Sequence, residues 1–264
     1  MPLVINLKGK LALVTAASRG IGFGVARVLA ECGADLVINS RDRDRLEEAR
    51  RRISSETGRD VMAVPGDLTS HADLERLSRE AKDRGGPDIF FYSTGGPRPG
   101  YFLELNMEDW DQAYRLLLVP AVYLTRELLP AMIERRWGRL IYLASVAIKE
   151  PIPNLVLSNV VRIGIAGLVR TLAKEVGSYG VTANGIMPGI IHTSRVEEIA
   201  RDIQEREGVG REEALKRLAS GIPSGRLGRP EEVGYLAAFL ASDYAAYING
   251  AMIPVDGGRL ASVF

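Results

Sequence analysis

Short apolar runs alternate with longer amphipathic segments along the whole chain, and few folds accept that alternation. A repeat of this kind calls for a parallel sheet whose two faces are covered by the intervening helices. Runs near 10–15, 34–39, 61–65, 88–92, 138–144, 180–187 and 251–255 read as strands. Segments near 20–32, 42–57, 70–84, 108–136, 154–178 and 230–241 read as helices, and Pro120 is expected to kink or split the longest of them. The expectation is an α/β protein: a doubly wound, mostly parallel sheet of seven strands with helices on both faces. At 264 residues with 46% hydrophobic and 25% charged residues, positions 1–264 are expected to form one domain with a substantial core. The stretch Ser194 to Ser224 carries no strand and reads as charged helices around Gly208-Val209-Gly210. It is expected to be a mobile lid over a cleft, the alternative being a surface excursion packed for stability.

Composition removes several classes of function. The net charge is +1 and acidic and basic residues are interspersed, so no nucleic-acid footprint is present. Cys32 is the single cysteine and cannot form an intramolecular disulfide, and Met1 to Lys10 lacks the pattern of a signal peptide. No apolar run approaches the ~18 residues of a membrane helix. A cytoplasmic protein with no nucleic-acid and no membrane partner is expected. No cluster of His, Cys and carboxylates has metal-ligand spacing, so no metal is expected.

The stretch from Leu11 to Gly22 carries the chemistry. Leu11 to Val14 reads as a buried strand, Phe23 to Ala30 as the body of a helix, and Gly20 and Gly22 lie where the backbone must approach a ligand closely. Such a turn aims unpaired amide N–H groups and the positive end of a helix at one point, a site for a pyrophosphate.

Thr15-Ala16-Ala17-Ser18-Arg19-Gly20-Ile21-Gly22 resembles the TGxxxGxG turn of the short-chain dehydrogenase/reductase family, with Ala16 replacing the first glycine. Asp67-Leu68, Pro188-Gly189 and Asp256-Gly257-Gly258 follow in the family's order, so the resemblance covers essentially the whole chain and implies a Rossmann-type fold. It implies a dinucleotide held by Thr15, Ser18, Arg19, Gly20, Ile21 and Gly22, and by Ser93, Thr94 and Gly95 after the fourth strand. Asp67 and Leu68 are implied to border the adenine, and Pro188, Gly189, Ile190 and Thr193 to hold the nicotinamide amide. A turn-forming Asp67 and a plain loop at Pro188-Gly189 are the simpler alternatives.

Charge argues for the phosphorylated cofactor. Dinucleotide enzymes specific for NAD place an acid at the end of the second strand, whereas a 2′-phosphate calls for cations there. Here the strand ends in Asn39-Ser40-Arg41, Asp35 lies at its opposite end, and Arg19 adds a positive charge from the glycine turn. NADP(H) is expected, with Ser40 and Arg41 at the phosphate. Beyond Arg41, the run of charges is expected to form a solvated face.

The catalytic pattern breaks. The family tetrad is Asn, Ser, Tyr and Lys, the last two spaced as YxxxK, and none of the 9 tyrosines here has lysine four positions later. Aligning LIYLASVA with the family's fifth strand puts Ser145 on the catalytic serine; thirteen residues on, Ser158 occupies the tyrosine position, Arg162 that of lysine, and Leu117 that of asparagine. A phenol with a pKa of about 10 can be tuned to give up a proton, whereas a guanidinium above ~12 keeps its charge. Arg162 can therefore hold the cofactor ribose and stabilise negative charge, but it is a poor proton relay. Lys149, Tyr92, Tyr101 and His192 are the titratable substitutes in the neighbourhood, each with a plainer structural reading.

The resemblance implies an oxidoreductase similar to 3-oxoacyl-acyl-carrier-protein reductases, acting on a small-molecule carbonyl or alcohol through an atypical site of Ser145, Ser158 and Arg162. The lost tetrad leaves open a non-catalytic dinucleotide-binding sensor or scaffold subunit, and also reduction of an activated double bond. A homodimer or homotetramer is implied, because in the family the helices at 108–136 and 154–178 pair across a two-fold axis.

Overall fold

The computed structural model describes residues 4–263; the ends of the expected 1–264 domain lie outside them. Seven parallel strands, β1 (Leu11–Val14), β2 (Asp35–Ser40), β3 (Val61–Pro65), β4 (Ile89–Tyr92), β5 (Gly138–Leu143), β6 (Val181–Pro188) and β7 (Met252–Val255), form one sheet in the order β3-β2-β1-β4-β5-β6-β7. The strand order reverses between β1 and β4, which opens a crevice at their carboxyl ends.

Consecutive strand residues serve opposite faces. Val14, Ile38, Phe91 and Ile141 join one core with α1 (Gly20–Glu31), α2 (Arg43–Thr57) and α10 (Pro230–Ala241), whereas Leu13, Val37, Phe90 and Leu140 join the other with α3 (His71–Asp83), α5 (Val119–Glu134) and α7 (Ile163–Val176). Period-2 alternation with both faces apolar leaves no solvated side, so the central strands read as continuous hydrophobic runs.

The expected helix at 108–136 is two helices, α4 (Met107–Leu117) and α5, parted at Leu118, with Pro120 in the first turn of α5 where its missing N–H costs nothing. The expected single helix at 154–178 is also divided, into α6 (Val156–Val161) and α7, with Arg162 at the joint. The sequence has no proline there to mark the break. Ser194 to Ser224 forms α8 (Ser194–Glu207) and α9 (Arg211–Ala219), which pack on each other.

One expectation is corrected. Met107–Glu134 and Val156–Tyr179 are each long and apolar enough, by length and composition alone, to cross a membrane. Isolated charges such as Arg126, Glu127, Arg162 and Arg170 break up the apolar runs in sequence without making either stretch polar overall. In the fold, α5 and α7 bury Leu124, Leu128, Ile165 and Val169 against the sheet.

α1 and α10 touch almost backbone to backbone. A Cβ on Gly24 would lie 2.5 Å from Pro230 Cβ, and one on Gly234 would lie 2.8 Å from Val28 Cγ2. Because the glycine turn opens α1, this contact sets where that helix starts. Gly24→Ala is expected to force the pair apart and cost about 1–3 kcal/mol, read as a lower urea midpoint with an unchanged slope.

Candidate active site

β1 is followed directly by Thr15, whose side chain is fully buried. Its hydroxyl donates to Ser93 O at 2.6 Å and accepts from Ser93 N at 2.8 Å, locking the exit of β1 to the exit of β4. The Thr15 and Ser93 groups thus serve the frame of the crevice. Ala16 follows at φ +50°, a left-handed conformation unusual for a residue with a Cβ. The next glycines explain the bend: a Cβ on Gly22 would sit 2.3 Å from Ala16 O, and Gly20 has φ +59°. Arg19 caps α1 without a side-chain hydrogen bond, and the first turn holds no acid, so the turn's amides face outward unopposed.

A cavity of about 830 Å³ lies in front of this turn, lined among others by Ser18, Arg19, Ser40, Arg41, Asp67, Leu68, Thr94 and Gly95. Ser18 and Ser40 share a hydrogen bond of 2.8 Å across the ends of the turn and β2. Arg41 is 3.7 Å from Asp67, while Asp35 at the far end of β2 is spent on Arg59 at 2.6 Å. Asp67 accepts from the Thr69 N–H and hydroxyl, both at 2.8 Å. Burial raises its pKa, but those donors and Arg41 outweigh it and hold the carboxyl below its usual range. Asp67 therefore both forms its turn and lines the cavity.

The cavity also has walls that were not foreseen. Arg45, expected in a solvated face, lines it, as do Asn39, Arg98, Asp109 and Gln112. Asn39 is buried, with Nδ2 donating to Val64 O at 2.9 Å and Gly66 O at 3.2 Å, while its Oδ1 has no partner among the described residues. A buried acceptor left unpaired costs free energy until a donor arrives. Arg45 was detectable only by counting one helical turn beyond the end of β2.

The segment Pro188 to Thr193 leaves β6 at the other flank of the turn. Only glycine fits at Gly189, where a Cβ would lie 2.8 Å from Asp256 Cβ, and Thr193 Cγ2 lies 3.3 Å from the Cβ position of Gly20. Ile190 faces a smaller cavity of about 120 Å³ beside Asp256 and Gly257. His192 is exposed and hydrogen-bonded at 2.5 Å to Glu197, which Arg211 also binds, so it ties the loop to α8 and α9.

Ser158 and Arg162, one turn apart, are brought together: Arg162 Nε donates to Ser158 Oγ at 3.1 Å. Longer contacts of 3.4 Å run from its Nη1 to Leu143 O and from its Nη2 to Gly95 O, bridging β5, β4 and α6. Arg162 is 8% exposed and has no carboxylate partner among the described residues. Burial pushes its pKa down, though a guanidinium stays charged. Ser145 accepts from the Ala147 N–H at 3.1 Å, which leaves its own proton free to donate. None of Ser145, Ser158 and Arg162 lines the large cavity. Tyr92 is not a substitute acid, because it is wholly buried, its hydroxyl reaches Leu116 O and Leu117 O at 3.1 Å, and burial pushes its pKa well up. Leu117 is buried in place of the family asparagine, and Lys149 and Tyr101 are exposed.

Residues 15–259 match the family model described as Enoyl-(Acyl carrier protein) reductase. The chain is a member of the short-chain dehydrogenase/reductase family. Among its relatives are the 3-oxoacyl-[acyl-carrier-protein] reductase FabG of Aquifex aeolicus, 31% identical over 96% of this chain and 98% of that one. Oxidoreductase UcpA of Salmonella typhimurium is 35% identical over 96% of this chain and 95% of its own. The crystal structure of L-sorbose reductase from Gluconobacter frateurii, complexed with NADPH and L-sorbose, superposes with a TM-score of 0.96 at 30% identity, covering 99% of this chain and 100% of that one.

Within this short-chain dehydrogenase/reductase frame, Ala16 and Arg162 each carry a cost that a substitution can relieve. Ala16→Gly is expected to stabilise the ligand-free chain by about 0.5–1 kcal/mol by releasing the left-handed alanine. Arg162→Met is expected to stabilise it by about 1–2 kcal/mol by removing an unpaired buried cation. Urea denaturation measures both; a loss on Arg162→Met shows that the three hydrogen bonds outweigh desolvation.

Proposed function

We propose that this chain is an NADP(H)-dependent oxidoreductase that acts on a small-molecule carbonyl or alcohol, in the manner of 3-oxoacyl-acyl-carrier-protein reductases, through a site in which Ser145, Ser158 and Arg162 replace the phenol-centred tetrad. The observation that carries this reading is the large cavity, walled by Arg19, Arg41 and Arg45, beside a turn that opens α1 with no acid in its first turn. The residues fit the cofactor: α1 opens with no acid in its first turn, and Asn39 Oδ1, in the cavity wall, waits for a donor. The relatives named above include a reductase crystallised with NADPH, which supports the choice.

In this reading the N–H groups of Gly20, Ile21 and Gly22 receive the pyrophosphate. Arg19, Ser40 and Arg41 receive the 2′-phosphate, Asp67 and Leu68 border the adenine, and Pro188 to Thr193 hold the nicotinamide amide. Arg162 binds ribose hydroxyls with the N–H groups it does not spend on protein. The nicotinamide supplies or accepts the hydride. Because Arg162 Nε donates to Ser158 Oγ, the Ser158 proton points elsewhere and can donate to the substrate oxygen, as can the Ser145 proton. The guanidinium stabilises negative charge on that oxygen, and solvent replaces the proton through the serine hydroxyls.

A second reading, a dinucleotide-binding sensor or scaffold, is favoured by one observation: Ser158 and Arg162 are each 8% exposed and stand apart from the cavity. Helices α8 and α9 are proposed as the lid that admits substrate, tied down by His192, Glu197 and Arg211. A homodimer or homotetramer is proposed on the exposed apolar side chains Val122, Val160 and Ile163 of α5, α6 and α7. A cytoplasmic location belongs to the same proposal.

Mixing the protein in a stopped-flow instrument with stoichiometric NADPH and then with a short 3-oxoacyl thioester separates binding from chemistry. Enhanced NADPH fluorescence followed by decay is expected; enhancement that persists across a panel of carbonyl substrates favours the sensor. If turnover survives Ser145→Ala combined with Ser158→Ala, these serines are not the acid site. Arg41→Ala is expected to weaken NADPH roughly tenfold while sparing NADH, and equal losses remove the 2′-phosphate argument.

A further inference from the structure

The loop that follows β4 lines the large cavity together with the arginines that follow β2, Arg41 and Arg45. Residues 95–100 read Gly-Gly-Pro-Arg-Pro-Gly and are fastened at both ends. Gly95 O accepts from Arg162 Nη2 at 3.4 Å, and the Gly100 N–H donates to Asn154 O at 2.8 Å. A Cβ on Gly100 would lie 2.9 Å from Leu105 Cδ2, so the far end is pressed onto its neighbour. Pro97 and Pro99 fix the backbone on either side of Arg98. A short, stiff span thus presents one arginine, Arg98, to the cavity.

Arg98 is also anchored from below. Its Nη1 donates to Asp109 Oδ2 at 2.9 Å, and the same oxygen accepts the Asn106 N–H at 3.0 Å in the cap of α4. The Asn106 N–H and Arg98 together hold the Asp109 carboxyl below its usual range. The Asp109 side chain is 12% exposed and that of Arg98 59%, so the carboxylate is a fixed post and the guanidinium keeps an open face.

The charges separate this arginine from those across the cavity. Arg19 has no carboxylate partner among the described residues and Arg41 is only loosely paired at 3.7 Å, so both keep a field for a phosphate. Arg98 and Asp109 are hydrogen-bonded and cancel at a distance. What the pair retains is a flat, oriented guanidinium plane, the kind of surface on which nucleobases stack. We propose that Arg98, held by Asp109, is an adenine-recognition residue that closes the adenosine end of the cavity over the purine ring. This inference rests on the NADP(H) reading and adds to it a residue that contributes affinity without selecting for the 2′-phosphate.

Titration calorimetry of the full chain with 5′-AMP and with adenosine 2′,5′-bisphosphate tests it without any turnover. Arg98→Ala is expected to weaken both nucleotides by a similar factor, roughly five- to tenfold. Arg98→Lys keeps the charge and loses the plane, and is expected to behave like the alanine variant. Asp109→Asn, which loosens the post, shifts both affinities in the same direction by less. A loss confined to the bisphosphate, a lysine variant equal to wild type, or no change beyond twofold in Arg98→Ala overturns the proposal. If wild type binds both nucleotides and Arg98→Ala binds them equally well, only this proposal falls. If wild type binds neither, the NADP(H) reading falls with it. Thermal melts of each variant establish that the fold is intact.

Discussion

The hydroxyl of Thr15, held between the carbonyl and the amide of Ser93, joins the two strands where the sheet changes direction, and the rest of the crevice is hung from that joint. A buried hydroxyl with both its donor and its acceptor capacity used fixes two backbones at once. From there the chain has only Ala16 to Arg19 in which to turn into α1, and the steric contacts of Gly22 in the first turn of that helix dictate how it turns. The close crossing of α1 with α10 holds the helix at that height. The geometry of the crevice is therefore a property of the packing beneath it.

In the proposed reading the turn keeps the family pattern, while the catalytic positions are built around a different cation. A lysine in the usual arrangement acts on a phenol; here Arg162 leans on a serine and two backbone carbonyls, with no acid among the described residues to neutralise it. Its planar fork suits several acceptors at once, which a single ammonium does not. The joint between α6 and α7 lies at this residue. The price of that arrangement is a buried charge that the protein alone leaves uncompensated.

The strand and helix alternation, the glycine turn and the positions of Asp67 and Pro188 were legible because each is a local requirement: an apolar period, a residue without a Cβ, a bend after a strand. Ser158 and Arg162 were legible as a pair through the resemblance, because they fill its YxxxK spacing, one helical turn apart. The break in the helix at Arg162 was not, since no proline stands at that joint. Arg98 and Asp109 meet across a loop and the cap of α4, and Arg45 turns into the cavity from a run of charges that reads as solvent-facing. Pairings of that kind depend on tertiary placement and leave no periodic trace.

The lone cation at Arg162 has a consequence for the life of the chain. A ligand that brings acceptors to that guanidinium removes a penalty present only in the empty protein, and whatever binds the native state alone lowers the population that opens. Opening exposes chain to proteases, and a free-energy difference of 1–2 kcal/mol changes steady-state abundance several-fold. In the proposed reading, the amount of this protein in a cell follows the supply of its cofactor, and scarcity of the dinucleotide clears the empty form.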